Sequence, residues 1–369
     1  MKGKVAMMTG PRSLVFEEYD LPEVEAGAIL ARVVRTNVCG SELHIWEGHH
    51  PFKKSGVLGH EMVGVVETIG QEVKTDYAGN PIKIGDRITS AYFITCRKCV
   101  YCQKNQMHLC ENAFKFWSKM PEEAPHFHGT FGTHYYIHPD QFFYKVPDNV
   151  PDSVAASANC ALSQVYFGIE KANLRYGESV VIQGAGGLGL NAAVVAKEFG
   201  ATVIVIDGLS SRLEKAKTFG ADYVIDMNVF DTVEKRSNAV LELTDGKGAN
   251  IGLELTGVPA AFSEGIHLLR KGGRYVSIGN VSPGLTTPFD PGLLTRKSIQ
   301  IIPVMQYDPW YLQKALQFLS KNNEKYPFSE LLDKHFDLEE IETALDESIK
   351  RNVTRASIVV TNVSKSIVN

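Results

Sequence analysis

Four of the chain's six cysteines fall close together: Cys96, Cys99, Cys102 and Cys110, spaced C-x2-C-x2-C-x7-C. Thiolates at that spacing can converge on a tetrahedral Zn2+ from one compact loop. With all four positions filled by protein the site is structural, and its binding free energy orders a loop that lacks a core of its own. A ferredoxin-type cluster opens with the same C-x2-C-x2-C but continues x3-C-P. Here seven residues intervene and Glu111 follows Cys110. Redox-active thiols are the other alternative to structural zinc.

A second signal is Gly184-Ala185-Gly186-Gly187-Leu188-Gly189, a match to G-x-G-x-x-G set between an apolar strand and a helical pattern. Gly184 permits the tight turn, Gly186 lets the backbone approach a pyrophosphate, and Gly189 lets helix and strand pack closely. The helix N-terminus behind them attracts the phosphates. Asp207 ends the next strand. A carboxylate there accepts hydrogen bonds from the adenosine ribose hydroxyls and repels a 2′-phosphate, so NAD is expected over NADP. Arg212 lies near enough to bear on that choice, and its simplest placement is against the adenine side. A third set is scattered: Cys39-Gly40-Ser41-Glu42-Leu43-His44 where an early strand ends, then Gly59-His60-Glu61, then Cys160. Each of these is bland alone, since a free cysteine is often simply buried and most histidines bind no metal.

The elements that must position these residues change character along the chain. The first third reads as β-rich, with short alternating runs at Ala31–Thr36, Gly64–Ile69 and Arg87–Tyr92, then Thr133–Ile137 and Phe142–Val146 beyond the cysteine loop. From Ser179–Gln183 onward, apolar strands alternate with helices: Leu190–Phe199 ending at Gly200, Ala201–Ile206, then Ser211–Phe219 ending at Gly220. Further strands are expected at Tyr223–Ile225, Ile251–Leu255, Arg274–Ile278 and Ser298–Val304. Such alternation implies a parallel sheet with helices on both faces. The tail, with helices at Trp310–Asn322 and Leu338–Arg351 and a strand at Ala356–Thr361, is too short for a domain of its own. It is expected to return to the first domain, giving residues 1–160 with 304–369 around an inserted 161–303.

Composition excludes several classes. The chain has 369 residues, 44% hydrophobic and 22% charged, enough to bury a sizeable core. A net charge of −4 lacks the basic excess that nucleic-acid binding requires. No apolar run approaches the ~20 residues that span a bilayer, and nothing near Met1 reads as a secretory signal. A cytoplasmic protein is expected, with clustered cysteines given to metal rather than to disulfides.

Taken in order and spacing, these residues resemble the zinc-dependent medium-chain alcohol dehydrogenases over nearly the whole chain. The motifs are C-G-S-x-x-H at Cys39–His44, G-H-E at Gly59–Glu61, G-D-R at Gly85–Arg87, the four-cysteine loop, Cys160, the glycine motif and Asp207. The resemblance implies a discontinuous GroES-like β-barrel catalytic domain around a Rossmann domain, an α/β fold. It implies two Zn2+ per chain: a structural ion in the cysteine loop, and a catalytic one on Cys39, His60 and Cys160 with the fourth position open. Glu61 would act beside that metal. Ser41 would hydrogen-bond the substrate oxygen and His44 pass its proton toward solvent, as suits imidazole. Zinc would polarise an alcohol and nicotinamide take the hydride. Trp46 and Tyr92 match pocket-lining positions, while His49 and His50 have no motif support. Phe114, Phe116, Trp117, Phe127 and Phe131 form either an apolar substrate wall, favouring a bulky secondary alcohol, or a satellite core over the cysteine loop. Arg355 either approaches the cofactor pyrophosphate or is a surface charge. The resemblance further implies a small-molecule alcohol or carbonyl substrate, no nucleic-acid or membrane partner, and a homo-oligomer, dimer or tetramer. A zinc-free quinone or enoyl reductase, or a non-catalytic binding protein, would share the dinucleotide half but has no use for Cys39, His60 and Cys160 together.

Overall fold

The computed structural model describes residues 1–49 and 56–361; His50 and the end of the tail lie outside the described residues. The chain divides into two compact units. The first comprises Met1–Cys160, Asp308–Asn323 and the chain from Phe328; the second comprises Ala161–Tyr307 with Glu324–Pro327.

The first unit begins with strands β1 (Lys2–Gly10), β2 (Ser13–Asp20) and β3 (Ile29–Asn37), then helix α1 (Gly40–Trp46) and strands β4 (Gly56–Val57), β5 (Glu61–Ile69) and β6 (Arg87–Ser90). After the short helix α2 (Val100–Gln103) come β7 (His134–Ile137), β8 (Phe143–Lys145) and helix α3 (Asp152–Ala156). The second unit follows with α4 (Ser163–Lys171), β9 (Ser179–Gln183), α5 (Gly187–Glu198), β10 (Thr202–Asp207), α6 (Ser210–Thr218) and β11 (Tyr223–Asp226). It continues through α7 (Val233–Glu242), β12 (Ala249–Glu254), α8 (Pro259–Leu268), β13 (Leu269–Ser277), α9 (Pro291–Lys297) and β14 (Gln300–Pro303). The tail supplies α10 (Tyr311–Asn322), β15 (Lys334–Asp337), α11 (Ile341–Ile349) and β16 (Ala356–Val359).

The α/β class expected from the sequence is what forms. In the first unit one sheet runs β15-β16-β3-β5-β6-β8, with β7 also on β3, and a smaller sheet runs β2-β1-β4. The tail strand β16 pairs antiparallel with β3, Ile358 opposite Thr36, so chain segments from both ends share one sheet. Its core includes Ile29, Ala31, Val33 and Met62 from the strands and Ile341, Leu345 and Ile358 from the tail. Burying these apolar faces holds the tail to the first unit.

The second unit is a six-stranded parallel sheet in the order β11-β10-β9-β12-β13-β14. Val180, Val181 and Ile182 of β9 and Val203, Ile204 and Val205 of β10 are fully buried. That is why these strands read as unbroken apolar runs: a parallel sheet covered on both faces has no polar side. Gly200 and Gly220 take φ of +81° and +92°, left-handed positions that end α5 and α6.

Candidate active site and dinucleotide crevice

In the first unit the strand ends deliver the chemistry. Cys39 is the N-cap of α1, His60 immediately precedes β5, and Cys160 lies in a wide helical turn at Ala158–Leu162. The Sγ atoms of Cys39 and Cys160 are 3.7 Å apart, and His60 Nε2 is 3.3 Å from Cys160 Sγ. A tetrahedron with metal–sulfur bonds of about 2.3 Å has sulfur–sulfur edges of about 3.8 Å. These donors therefore fit Zn2+ in type and in spacing. One carboxylate oxygen of Glu61 completes the group, and all four donor atoms lie within 4.8 Å of one another.

Hydrogen bonds set the donors. The Asn159 amide donates to the carbonyl oxygens of His60 and Ser90, at 2.7 and 2.8 Å, fixing the turn that carries Cys160. Glu42 is fully buried; its carboxylate accepts from the Cys39 backbone N–H at 2.6 Å and lies 2.7 Å from His60 Nδ1. An Nδ1–H donated to Glu42 leaves the Nε2 lone pair facing the sulfurs, the tautomer a metal ligand needs. The two thiols share a proton. The hydrogen bond from Cys160 draws the Cys39 thiol well below the ordinary range, while that same bond and burial push Cys160 well above it.

Glu61 and Arg355 form an ion pair, both buried, so Arg355 is not the surface charge that one reading of the tail allowed. Burial pushes the Glu61 carboxyl up to about 8 against the pull of Arg355. Its second oxygen has no hydrogen-bond partner among the described residues. Tyr92 stands over His60 with ring centroids 4.9 Å apart. Burial, with the charges of Cys160, Cys39 and Glu61, pushes its phenol well above the usual range.

Other residues singled out in the sequence spread more widely. Ser41 and His44 lie three apart in α1, Ser41 half-buried and His44 exposed, with no hydrogen bond joining them among the described residues. Trp46 is 2% exposed and packs in the core. The aromatic run divides: Phe116 and Phe127 fill a small second core and Phe131 and Trp117 join the main one, while Phe114 stacks on Tyr92 at 6.4 Å. His49 is exposed.

The cysteine loop is equally compact. Cys96, Cys99, Cys102 and Cys110 place their sulfurs within 4.8 Å of one another. Backbone N–H groups of Cys99 and Cys96 donate to the sulfurs of Cys96 and Cys110, at 3.4 and 3.3 Å, favouring thiolates there. Four converging sulfurs with no open position fit a structural Zn2+.

In the second unit, the glycine motif forms the turn between β9 and α5. Gly184 has φ +98°, and a Cβ on Gly189 would overlap the Gly184 carbonyl oxygen. The space those glycines keep clear, at a helix N-terminus, fits a pyrophosphate. Asp207 ends β10, its carboxylate accepting from Ala185 N at 2.7 Å and Leu209 N at 2.9 Å. A guanidinium nitrogen of Arg212 lies 4.0 Å from where a Cβ on Gly186 would stand.

Comparison with known proteins agrees with this geometry. Residues 25–148 match the alcohol dehydrogenase GroES-like domain, and residues 187–321 match the zinc-binding dehydrogenase domain. The chain is 32% identical over 337 residues to a 5-exo-hydroxycamphor dehydrogenase of Pseudomonas putida, covering 89% of this chain and 91% of that one. It is 33% identical over 326 residues to a sorbitol dehydrogenase of Halalkalibacterium halodurans, covering 87% and 89%. The crystal structure of an alcohol dehydrogenase from Thermotoga maritima superposes with a TM-score of 0.91 at 30% identity, covering 98% of this chain and all of that one. The chain belongs to the zinc-dependent medium-chain alcohol dehydrogenase family. Members of this family are oxidoreductases acting on CH–OH groups of small molecules, and the family implies zinc and a nicotinamide cofactor. No helix among the described residues is long and apolar enough to cross a membrane.

Proposed function

We propose that the protein is an NAD-dependent dehydrogenase, or ketone reductase in the reverse direction, acting on a secondary alcohol. Cys39, His60 and Cys160 hold one Zn2+, and Cys96, Cys99, Cys102 and Cys110 hold a second. The observation that carries this reading is the tetrahedral spacing of two thiols and one oriented imidazole, 3.7 and 3.3 Å along two edges. When bound, zinc supplies Lewis acidity at the alcohol oxygen and the nicotinamide supplies a two-electron acceptor.

The chain's own residues do the rest. Glu42 holds the His60 tautomer, and Arg355 holds one oxygen of Glu61 while the other stays turned to the donor cluster. Ser41 takes the proton leaving the alcohol, and His44, exposed at the far end of α1, passes it to water. Gly184, Gly186, Gly187, Leu188 and Gly189 cradle the pyrophosphate, and Asp207 excludes a 2′-phosphate, favouring NAD. Arg212 lies against the adenine side.

The stack of Phe114 on Tyr92 supports an apolar wall beside the metal and hence a bulky secondary alcohol. The relatives, named for hydroxycamphor, sorbitol and xylulose, leave apolar alcohols and polyols both in range. A homo-oligomer is supported by β14, which ends the second unit's sheet with one side unpaired among the described residues. A screen of primary, secondary, polyol and amino alcohols against NAD and NADP tests the reading. Fastest NAD reduction is expected with a bulky secondary alcohol. A clear NADP preference, or no turnover of any alcohol, would contradict it.

A further inference from the structure

The second unit carries a buried carboxylate that the proposed chemistry does not use. Glu254 is the last residue of β12 and is fully shielded from solvent. One carboxylate oxygen accepts from Thr256 N at 2.8 Å, Thr256 Oγ1 at 2.8 Å and Gly257 N at 2.9 Å. The other accepts from Asn280 N at 3.1 Å. The Glu254 backbone carbonyl also accepts from Ile278 N and Gly279 N. Thr256 and Asn280 are themselves exposed. One buried side chain thus bolts together two surface loops, one following β12 and the other following β13. These loops touch through glycine: a Cβ on Gly279 would lie 2.5 Å from Gly257 N.

The position of this bolt in the sheet gives it meaning. Glu254 pairs with Gln183, the residue before the glycine motif. The strand order reverses between β9 and β12. In an open parallel sheet the ligand lies outside the carboxyl ends of the strands at that reversal. The half carrying β9, β10 and β11 holds the glycine motif and Asp207, so it takes the adenosine side. The loops after β12 and β13 then face the other mononucleotide. Contact runs across the reversal as well, because a Cβ on Gly184 would meet the Thr256 methyl at 3.0 Å.

We propose that Glu254 is a positioning residue for the nicotinamide half of the dinucleotide. It fixes Thr256–Gly257 and Gly279–Asn280 as one rigid edge of the crevice, set directly against the glycine motif. A carboxylate suits this task because all four groups facing it are donors. An amide cannot replace it, since one end of Gln would turn N–H toward N–H. This inference rests on the reading of the second unit as a dinucleotide site.

Titrating the full protein with NADH and with ADP-ribose, which lacks the nicotinamide, tests it. In Glu254→Gln the loss of one hydrogen bond to a charged acceptor should raise the NADH Kd about tenfold. ADP-ribose binding should stay within about twofold, because the adenosine half is untouched. Equal weakening of both ligands, or no change in NADH binding, would overturn the proposal. Thr256→Val removes only the hydroxyl and decides the matter if Glu254→Gln does not fold; the same split between ligands is expected, with a smaller rise. Failure of the unaltered protein to bind either ligand would instead sink the dinucleotide reading itself.

Discussion

Glu42 offers the metal site no donor, yet the site depends on it. It is wholly buried, with its carboxylate between the Cys39 N–H and His60 Nδ1. Removing its charge leaves His60 free to adopt the tautomer with Nε2–H, which cannot ligate. Glu42→Gln is therefore expected to weaken zinc retention at this site about 10- to 100-fold, measured by competition with a chelator. Asp207 works by a different route. Its two oxygens are already held by backbone N–H groups, which fix the carboxylate at the strand end. Asp207→Ser should lower the ratio of NAD to NADP turnover by about tenfold or more; an unchanged ratio would remove Asp207 from cofactor choice. The metal donors were legible from residue type and spacing together. Glu42 was not, because a carboxylate in the first turn of a helix ordinarily reads as a solvated charge. Its one signal was its place three residues beyond the N-cap, where a Glu reaches back to the cap N–H. Arg355 and Glu254 were invisible for a similar reason: pairing and burial are properties of the fold, not of the local sequence.

At the scale of elements, Glu178 fastens three strands of the parallel sheet. Just before β9, it accepts from Arg175 N at 3.0 Å, from the Asn250 amide of β12 at 3.1 Å and from Arg274 of β13 at 2.5 Å. Burial pushes its carboxyl up, but the Arg175 N–H and the Arg274 guanidinium outweigh it and hold the group below the ordinary range. A depressed folded-state value stabilises above the unfolded value, about 4.3, and that stability is lost as pH falls through the folded one. Thermal melts should show Glu178→Gln less stable than the unaltered protein at pH 7, with the gap closing below about pH 4. A gap independent of pH would assign the effect to packing. The strands of this sheet were legible because burial on both faces leaves a continuous apolar run. The sequence gave no comparable pattern for α1, β2 and β15. Strand β2 is largely exposed, β15 (Lys-His-Phe-Asp) has one buried residue, and the seven-residue α1 opens on glycine. Their pairing partners, distant in sequence, determine them.

For the whole molecule, the pairing of β16 with β3 means that the first unit's sheet is complete only when the tail has returned to it. The site residues gather the same way: Cys39, His60, Cys160 and Arg355 come from four separate stretches of chain. Order and spacing made the two-unit plan readable before the pairings were known, because the change from alternating to continuous apolar runs marks where one sheet gives way to another. The most direct test counts zinc in the purified protein and in Cys160→Ser, with alcohol oxidation and NADH binding measured on the same samples. About two ions per chain are expected in the unaltered protein and about one in the variant, which should keep NADH binding and lose alcohol oxidation. One ion or fewer in the unaltered protein, or an undiminished rate in the variant, would contradict a catalytic zinc on Cys39, His60 and Cys160.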